Sequence, residues 1–253
     1  MNPEVLLSRI RVVLCRPSHP GNIGAAARAM KTMGLTRLYL VTPKLFPDPE
    51  ADTRATGAVD VLQAATVTAT LAEALAGTVF AVALSARQRD LGPAIGAPRE
   101  TVARLLAEAV EGDVALVFGN ETVGLSNEEI FHCQAAVSIP TNPDFSSLNL
   151  GSAVQVLSYE CRMAAYGEKP PLAVKGVTPF VSPPATNDEV EGLYGHLEEL
   201  MTATGFYNPQ QPGRLMPKLR RLFGRVRLEK DEINILRGIL ASTQVRTGHG
   251  RKD

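Results

Sequence analysis

The chain has 253 residues, a formal net charge of zero and an apolar content of 45%, which accommodates one large domain or one domain with a small appendage. No apolar run approaches the ~18 residues of a membrane span, and residues 1–11 carry charge and lack the apolar core of a secretory leader. Three scattered cysteines (Cys15, Cys133 and Cys161) form neither a CxxC pair nor a zinc spacing. The expectation is a cytoplasmic protein with buried thiols, no membrane segment and no metal.

Residues 11–15 (RVVLC) have strand length and no helical period. Residues 17–21 form a loop, and Asn22 is placed to cap an alanine-rich helix that stops at Gly34. Residues 38–41 make a second strand, and Pro43, Pro47 and Pro49 mark a loop. Residues 52–65 read as helix with a break near Gly57, Val67 as a short strand, and 71–76 as a short helix. Residues 78–84 (TVFAVAL) are a strand, and Pro98 opens a helix to about residue 110. Two further apolar runs follow, 114–118 and 135–139. Each ends in a loop rich in glycine, serine and asparagine that enters a helix, the second spanning 151–165. Alternating strands and helices predict an α/β fold, a parallel sheet with helices on both faces.

After Gly167 the composition changes. Residues 169–186 hold Pro170, Pro171, Pro179, Pro183 and Pro184 and read as a linker. Thr186-Asn187-Asp188-Glu189 then caps a helix to about residue 204, and 212–227 and 231–246 give two more. The last carries Ile233, Leu236, Ile239 and Leu240 on one face. The expected division is a main domain over 1–167, a linker over 168–187 and a helical extension over 188–253. Three such helices enclose little core, so they are expected to pack on the main domain or on a second subunit.

In an open α/β sheet, ligands sit beyond the carboxyl ends of the strands. The loops after 114–118 and 135–139 therefore converge on one site, and the backbone N–H groups opening helix 151–165 suit a polar ligand. The pattern argues against a dinucleotide site, because no G-x-G-x-x-G follows a strand and no acid closes the second one. A P-loop lysine is absent too. Between residues 214 and 230 the basic residues Arg214, Lys218, Arg220, Arg221, Arg225, Arg227 and Lys230 face Glu229 alone. That run is either a footprint for phosphates or a solvated helix face.

Three segments in order carry a resemblance. They are Pro20-Gly21-Asn22-Ile23-Gly24-Ala25-Ala26-Ala27-Arg28-Ala29-Met30, the turn opened by Gly119-Asn120-Glu121, and Phe145-Ser146-Ser147-Leu148-Asn149-Leu150. Together they resemble the three motifs of the SPOUT methyltransferases, α/β-knot enzymes that use S-adenosylmethionine. Ser18-His19-Pro20 before the first motif and Leu215-Met216-Pro217-Lys218-Leu219-Arg220-Arg221-Leu222-Phe223 near the end narrow the resemblance to the TrmJ-type tRNA ribose 2′-O-methyltransferases. It covers almost the whole chain. Asn120 and Thr122 stand where some members carry arginines, and Phe145 where tyrosine is common.

The resemblance implies a deep trefoil knot threaded by residues 114–165, a homodimer, and methyl transfer to the ribose of a C or U at tRNA nucleotide 32. It maps backbone contacts to S-adenosylmethionine onto Leu84, Ser85 and Ala86, onto Gly119, onto Ile139, and onto Ser146, Ser147 and Leu148. It maps catalysis onto Arg28, Asn22 and Ser147, and RNA contacts onto Arg28, Glu121, Lys218, Arg220 and Arg221. A guanidinium is a poor base; Arg28 as base, and Arg28 as phosphate clamp and alkoxide stabiliser, both stand. Asn22 either caps the helix, orients Arg28 or meets RNA. Glu121 either orients Arg28, meets the RNA side or faces solvent. Action on another tRNA position or on ribosomal RNA, or a catalytically silent RNA-binding knot protein, are the alternatives; intact Arg28, Gly119, Ser147 and Asn149 argue against the silent one.

Overall fold

The computed structural model describes residues 2–85, 92–167 and 182–248. Seven parallel strands form one sheet in the order β3-β2-β1-β6-β4-β7-β5. They are β1 (Ile10–Cys15), β2 (Arg37–Val41), β3 (Thr66–Thr68), β4 (Thr78–Leu84), β5 (Ile95–Gly96), β6 (Asp113–Phe118) and β7 (Ala135–Val137). Every residue of β1 is buried, and so is all of β6 after Asp113. Central parallel strands are covered on both faces, which is why they read as unbroken apolar runs.

In chain order the helices are α1 (Pro3–Ser8), α2 (Pro20–Met33), α3 (Pro49–Ala55), α4 (Val59–Gln63), α5 (Leu71–Leu75), α6 (Pro98–Glu108), α7 (Asn127–Phe131), α8 (Leu150–Tyr166), α9 (Asn187–Ala203), α10 (Leu215–Gly224) and α11 (Lys230–Gly248). One apolar layer joins the sheet to α2, α6 and α8, and a smaller one joins the other face to α5 and α7. Helix α2 lies between α3 and α8 at close range. A Cβ on Gly24 would stand 2.1 Å from the Ala51 carbonyl oxygen, and one on Gly151 would stand 2.7 Å from Ala25 Cβ. These contacts bring the starts of α2 and α8 side by side.

Several expectations need correction. Helix α2 begins at Pro20 with His19 as its N-cap, so Asn22 lies in the first turn and does not cap it. Its end matches: Gly34 adopts φ 86° and closes the helix. The break near Gly57 is a 3-10 turn over Thr56–Ala58. The short elements α1 and β5 were not anticipated. Strand β7 ends at Val137, two residues early, which frees Ser138 and Ile139 for the loop.

Most of the proline-rich stretch, residues 168–181, lies outside the described residues. Its described end is stitched to the helices: Ala185 N–H donates to Leu228 O at 2.8 Å and Lys230 N–H to Pro183 O at 3.0 Å. Thr186 and Glu189 form the capping box that opens α9. Leu193 and Ile233 are buried in the small core of the extension, with Leu236 and Leu240 against it. Ile239 is not part of it and is exposed.

The extension is tied to the main domain by charge. Glu191 on α9 accepts from Arg220 at 2.5 and 2.7 Å and meets His132 Nδ1 at 3.3 Å. Arg227 pairs with Glu108 on α6. Burial alone pushes the Glu191 carboxyl up, but His132 and Arg220 outweigh it and hold it at about 2.

Candidate active site

Beyond the carboxyl ends of β4, β6 and β7 lies a cleft of about 210 Å³. Leu84 ends β4, Phe118 and Gly119 end β6, and Ser138 and Ile139 follow β7. Ser146, Ser147 and Leu148 close the cleft from the loop that enters α8, with Leu150 and Ala153 behind them. Six of the residues expected to grip a cofactor therefore line one cavity: Leu84, Gly119, Ile139, Ser146, Ser147 and Leu148. Ser85 continues β4 and spends its backbone N–H on Val137 O at 2.9 Å. Ala86 lies outside the described residues.

Gly119 is fixed by packing. A Cβ there would stand 2.3 Å from both Gly124 C and Leu125 N, so a larger residue would push the following turn away. That turn is closed by Gly124 N–H to Asn120 O at 2.9 Å, with Gly124 at φ 69°. It is held from β1 as well. The Asn120 side chain donates to Arg16 O at 2.8 Å, and the Arg16 guanidinium binds Glu129 at 2.7 Å and Gly124 O at 3.3 Å.

Glu121 is the hub of the site. Its carboxylate accepts from Ser18 N–H at 2.9 Å, Ser18 Oγ at 2.7 Å, His19 N–H at 3.3 Å, Asn22 Nδ2 at 2.9 Å and Asn120 Nδ2 at 3.4 Å. Partial burial pushes the carboxyl up, but these donors outweigh it and hold it at about 2. Asn22 Oδ1 in turn accepts from Asn149 Nδ2 at 2.9 Å. Asn149 Oδ1 caps α8 by accepting from Gly151 N–H at 2.9 Å. One chain of side chains thus links all three loops, and Glu121 orients Asn22 rather than Arg28.

Arg28 stands apart from this chain. It is exposed on α2, with Nη1 3.5 Å from Thr56 Oγ1. On the far side of the Asn22–Asn149 contact, a second cleft is lined by His19, Asn22, Asn149, Glu50 and Arg54. Lys218, Arg220 and Arg221 lie on α10, away from both clefts. Arg220 is engaged by Glu191 and lies 4.4 Å over the Tyr194 ring, whereas Lys218 is exposed. Sequence reasoning missed Ser18, Arg16 and Asn120 as organisers; their roles rest on contacts with residues about a hundred positions away. Among the described residues no group of three or more His, Cys, Asp or Glu is placed to hold a metal ion, and no helix is long and apolar enough to cross a membrane.

A parallel sheet with polar loops around a cleft beyond its strand ends defines an α/β protein with a ligand site at its strand ends. Residues 9–159 match the SpoU rRNA methylase family, and residues 188–252 match the C-terminal domain of the tRNA methyltransferase TrmJ. The chain belongs to this family of methyltransferases. It is 51% identical over 241 residues to the tRNA (cytidine/uridine-2′-O-)-methyltransferase TrmJ of Escherichia coli strain K12, covering 94% of this chain and 96% of that protein. It is 50% identical over 244 residues to the tRNA (cytidine/uridine/adenosine-2′-O-)-methyltransferase TrmJ of Pseudomonas aeruginosa strain UCBPP-PA14, covering 94% and 95%. The crystal structure of TrmJ from Z. mobilis ZM4 superposes with a TM-score of 0.81 at 34% identity, covering 92% of this chain and 98% of that one.

Proposed function

We propose that this protein is an S-adenosylmethionine-dependent tRNA methyltransferase that modifies the ribose 2′-oxygen of C or U at nucleotide 32. The observation that carries the reading is the chain Glu121–Asn22–Asn149. It ties together the three loops named by the resemblance, the second and third lining the cleft beyond the strand ends and the first lining the adjoining one, in a protein half identical to two TrmJ methyltransferases.

The residues present fit the cofactor. Leu84, Ile139, Leu148 and Leu150 give apolar walls for a flat purine, and Thr141, Ser146 and Ser147 supply polar groups at the rim. Glu121, ionised and part of the wall, suits a sulfonium cation. S-adenosylmethionine, when bound, supplies a methyl group activated for transfer to oxygen. The protein's part is to present a ribose hydroxyl and to stabilise the charge left when its proton departs. The N–H groups opening α8 favour negative charge, with Ser147 two residues before the cap Asn149. Arg28 and Asn22 are assigned to the RNA side, Arg28 gripping the adjoining phosphate.

The reading includes the trefoil knot, the division into a main domain and a helical extension, and a homodimer. Residues 142–149 are exposed, with Phe145 77% accessible. Tyr159, Met163 and Tyr166, at i, i+4 and i+7 on α8, are exposed as well. A second copy covering this face would seal the cofactor loops. The Pseudomonas relative, whose name includes adenosine, makes a wider base set the second reading.

Ribose-methylation mapping of total RNA from a deletion strain tests the assignment. Loss of the 2′-O-methyl group at tRNA nucleotide 32 alone is expected. Loss only at another tRNA position, or only in ribosomal RNA, would overturn the substrate while leaving the chemistry.

A further inference from the structure

A third cleft, lined by arginines, lies away from the loops described above. It measures about 280 Å³ and runs between the main domain and α10. Arg104 on α6 and Arg220, Arg221 and Arg225 at α10 line it, together with Cys133, Gln134 and Ala135 at the start of β7, and no carboxylate is among its lining residues.

The arginines differ in what they have left to offer. Arg220 is engaged by Glu191. Arg104 stacks its guanidinium 4.6 Å above the ring of the buried Phe80. Stacking fixes the group but leaves its in-plane N–H donors for an anion. Arg225 is the exposed C-cap residue of α10. Of the acids nearby, Glu191 pairs with Arg220 and His132, and Glu108 pairs with Arg227 while also sensing the charge of Arg104, so Arg227 shares that carboxylate with it. A concave, net positive site bounded by low-dielectric walls concentrates anions.

We propose that this cleft is an anion site assembled from both halves of the chain. Arg104 comes from the main domain and Arg225 from the extension, and each takes one of two neighbouring backbone phosphates of the RNA substrate. The proposal rests on the tRNA reading above. Geometry favours RNA over a small free anion. Gln134 and Ala135 at the start of β7 line this cleft, and Ser138 and Ile139 past its end line the cofactor cleft. Three strand residues span only ~10 Å, so an RNA whose target ribose faces the cofactor cleft can bring a neighbouring phosphate to this one. Binding there would also set the extension against the main domain while the target nucleotide is held.

The test uses the full chain with Arg104→Gln and Arg225→Gln, singly and together. Filter binding of tRNA across a salt series reads the number of phosphates neutralised. The double variant is expected to bind at least tenfold more weakly. Its log K against log salt should be shallower by about 1.4 to 1.8, two contacts at about 0.7 to 0.9 each. S-adenosylmethionine affinity should be unchanged, and Arg104→Lys should recover part of the slope. A folded double variant with the wild-type slope overturns the proposal. If loss of the Phe80 stack unfolds the Arg104 variants, Arg225→Gln alone must still lower the slope by one contact. Pyrophosphate is the small-anion arm. If it protects the wild type but not the double variant from thermal unfolding, while tRNA binding is equal in both, the cleft takes a free oligophosphate and the RNA assignment falls. A wild-type protein that binds and methylates no tRNA fails the functional reading instead, and the pyrophosphate arm then decides whether the cleft is an anion site.

Discussion

Asn22 donates from Nδ2 to Glu121 Oε1 at 2.9 Å across 99 residues of sequence. The same side chain accepts from Asn149, so the first loop is locked between the second and the third. The start of helix α2 is thereby tied to the loops after β6 and β7.

Glu121→Gln should loosen this lock in a pH-dependent way. The folded carboxyl is held at about 2, below the ordinary value near 4.3. A lowered folded pKa gives stability that is complete above the unfolded value and is lost as pH falls through the folded one. After discounting for solvent screening, the wild type should exceed the variant by on the order of 1 kcal/mol at neutral pH. The gap should close between about pH 4.5 and 2. Urea melts at several pH values check it; a gap that stays constant down to pH 2 would remove Glu121 as the hub.

Gly119→Ala should damage the cofactor cleft without touching its polar groups. The new methyl would meet Gly124 C and Leu125 N at 2.3 Å, and overpacking of this kind costs about 1–3 kcal/mol. Calorimetry should give a cofactor affinity at least tenfold weaker. Wild-type affinity would mean that the turn yields without consequence.

Much of the sheet is legible in the sequence because central strands buried on both faces must be apolar throughout. Residues 78–84 are read and found identically. The two-residue β5 is shorter than any period can reveal, and α1 buries Leu7 alone, so it shows no apolar stripe. Asn22 was misread as a cap because Pro20 takes the first helical position, which puts Asn22 at the third. Ile239 was misplaced because Ile233, Leu236 and Leu240 already complete one helical stripe. The motif spacing located the cleft. The Glu121 hub was hidden, since its donors Ser18, His19 and Asn22 come from about a hundred residues away and no local pattern encodes that approach.

Arg28→Ala should separate chemistry from cofactor binding. Arg28 does not line the cofactor cleft. Turnover should fall at least a hundredfold, while S-adenosylmethionine affinity by calorimetry stays within threefold. A large loss of cofactor binding would refute the assignment to the RNA side.

The native protein should resist thiol alkylation. Cys15, Cys133 and Cys161 are buried, and desolvation pushes each thiol well above its ordinary range. Iodoacetamide should leave activity and mass unchanged until the chain is unfolded. Rapid inactivation of native protein would point to a thiolate nucleophile and hence to chemistry on a base.

The central claim is transfer to the ribose 2′-oxygen of nucleotide 32, and one substrate tests it most directly. A tRNA carrying 2′-deoxyribose at that nucleotide alone lacks the acceptor and keeps every base and phosphate. It should bind nearly as tightly as the all-ribose tRNA and accept no methyl group. Methylation of the deoxy substrate at nucleotide 32 would place the acceptor on the base and contradict the ribose assignment.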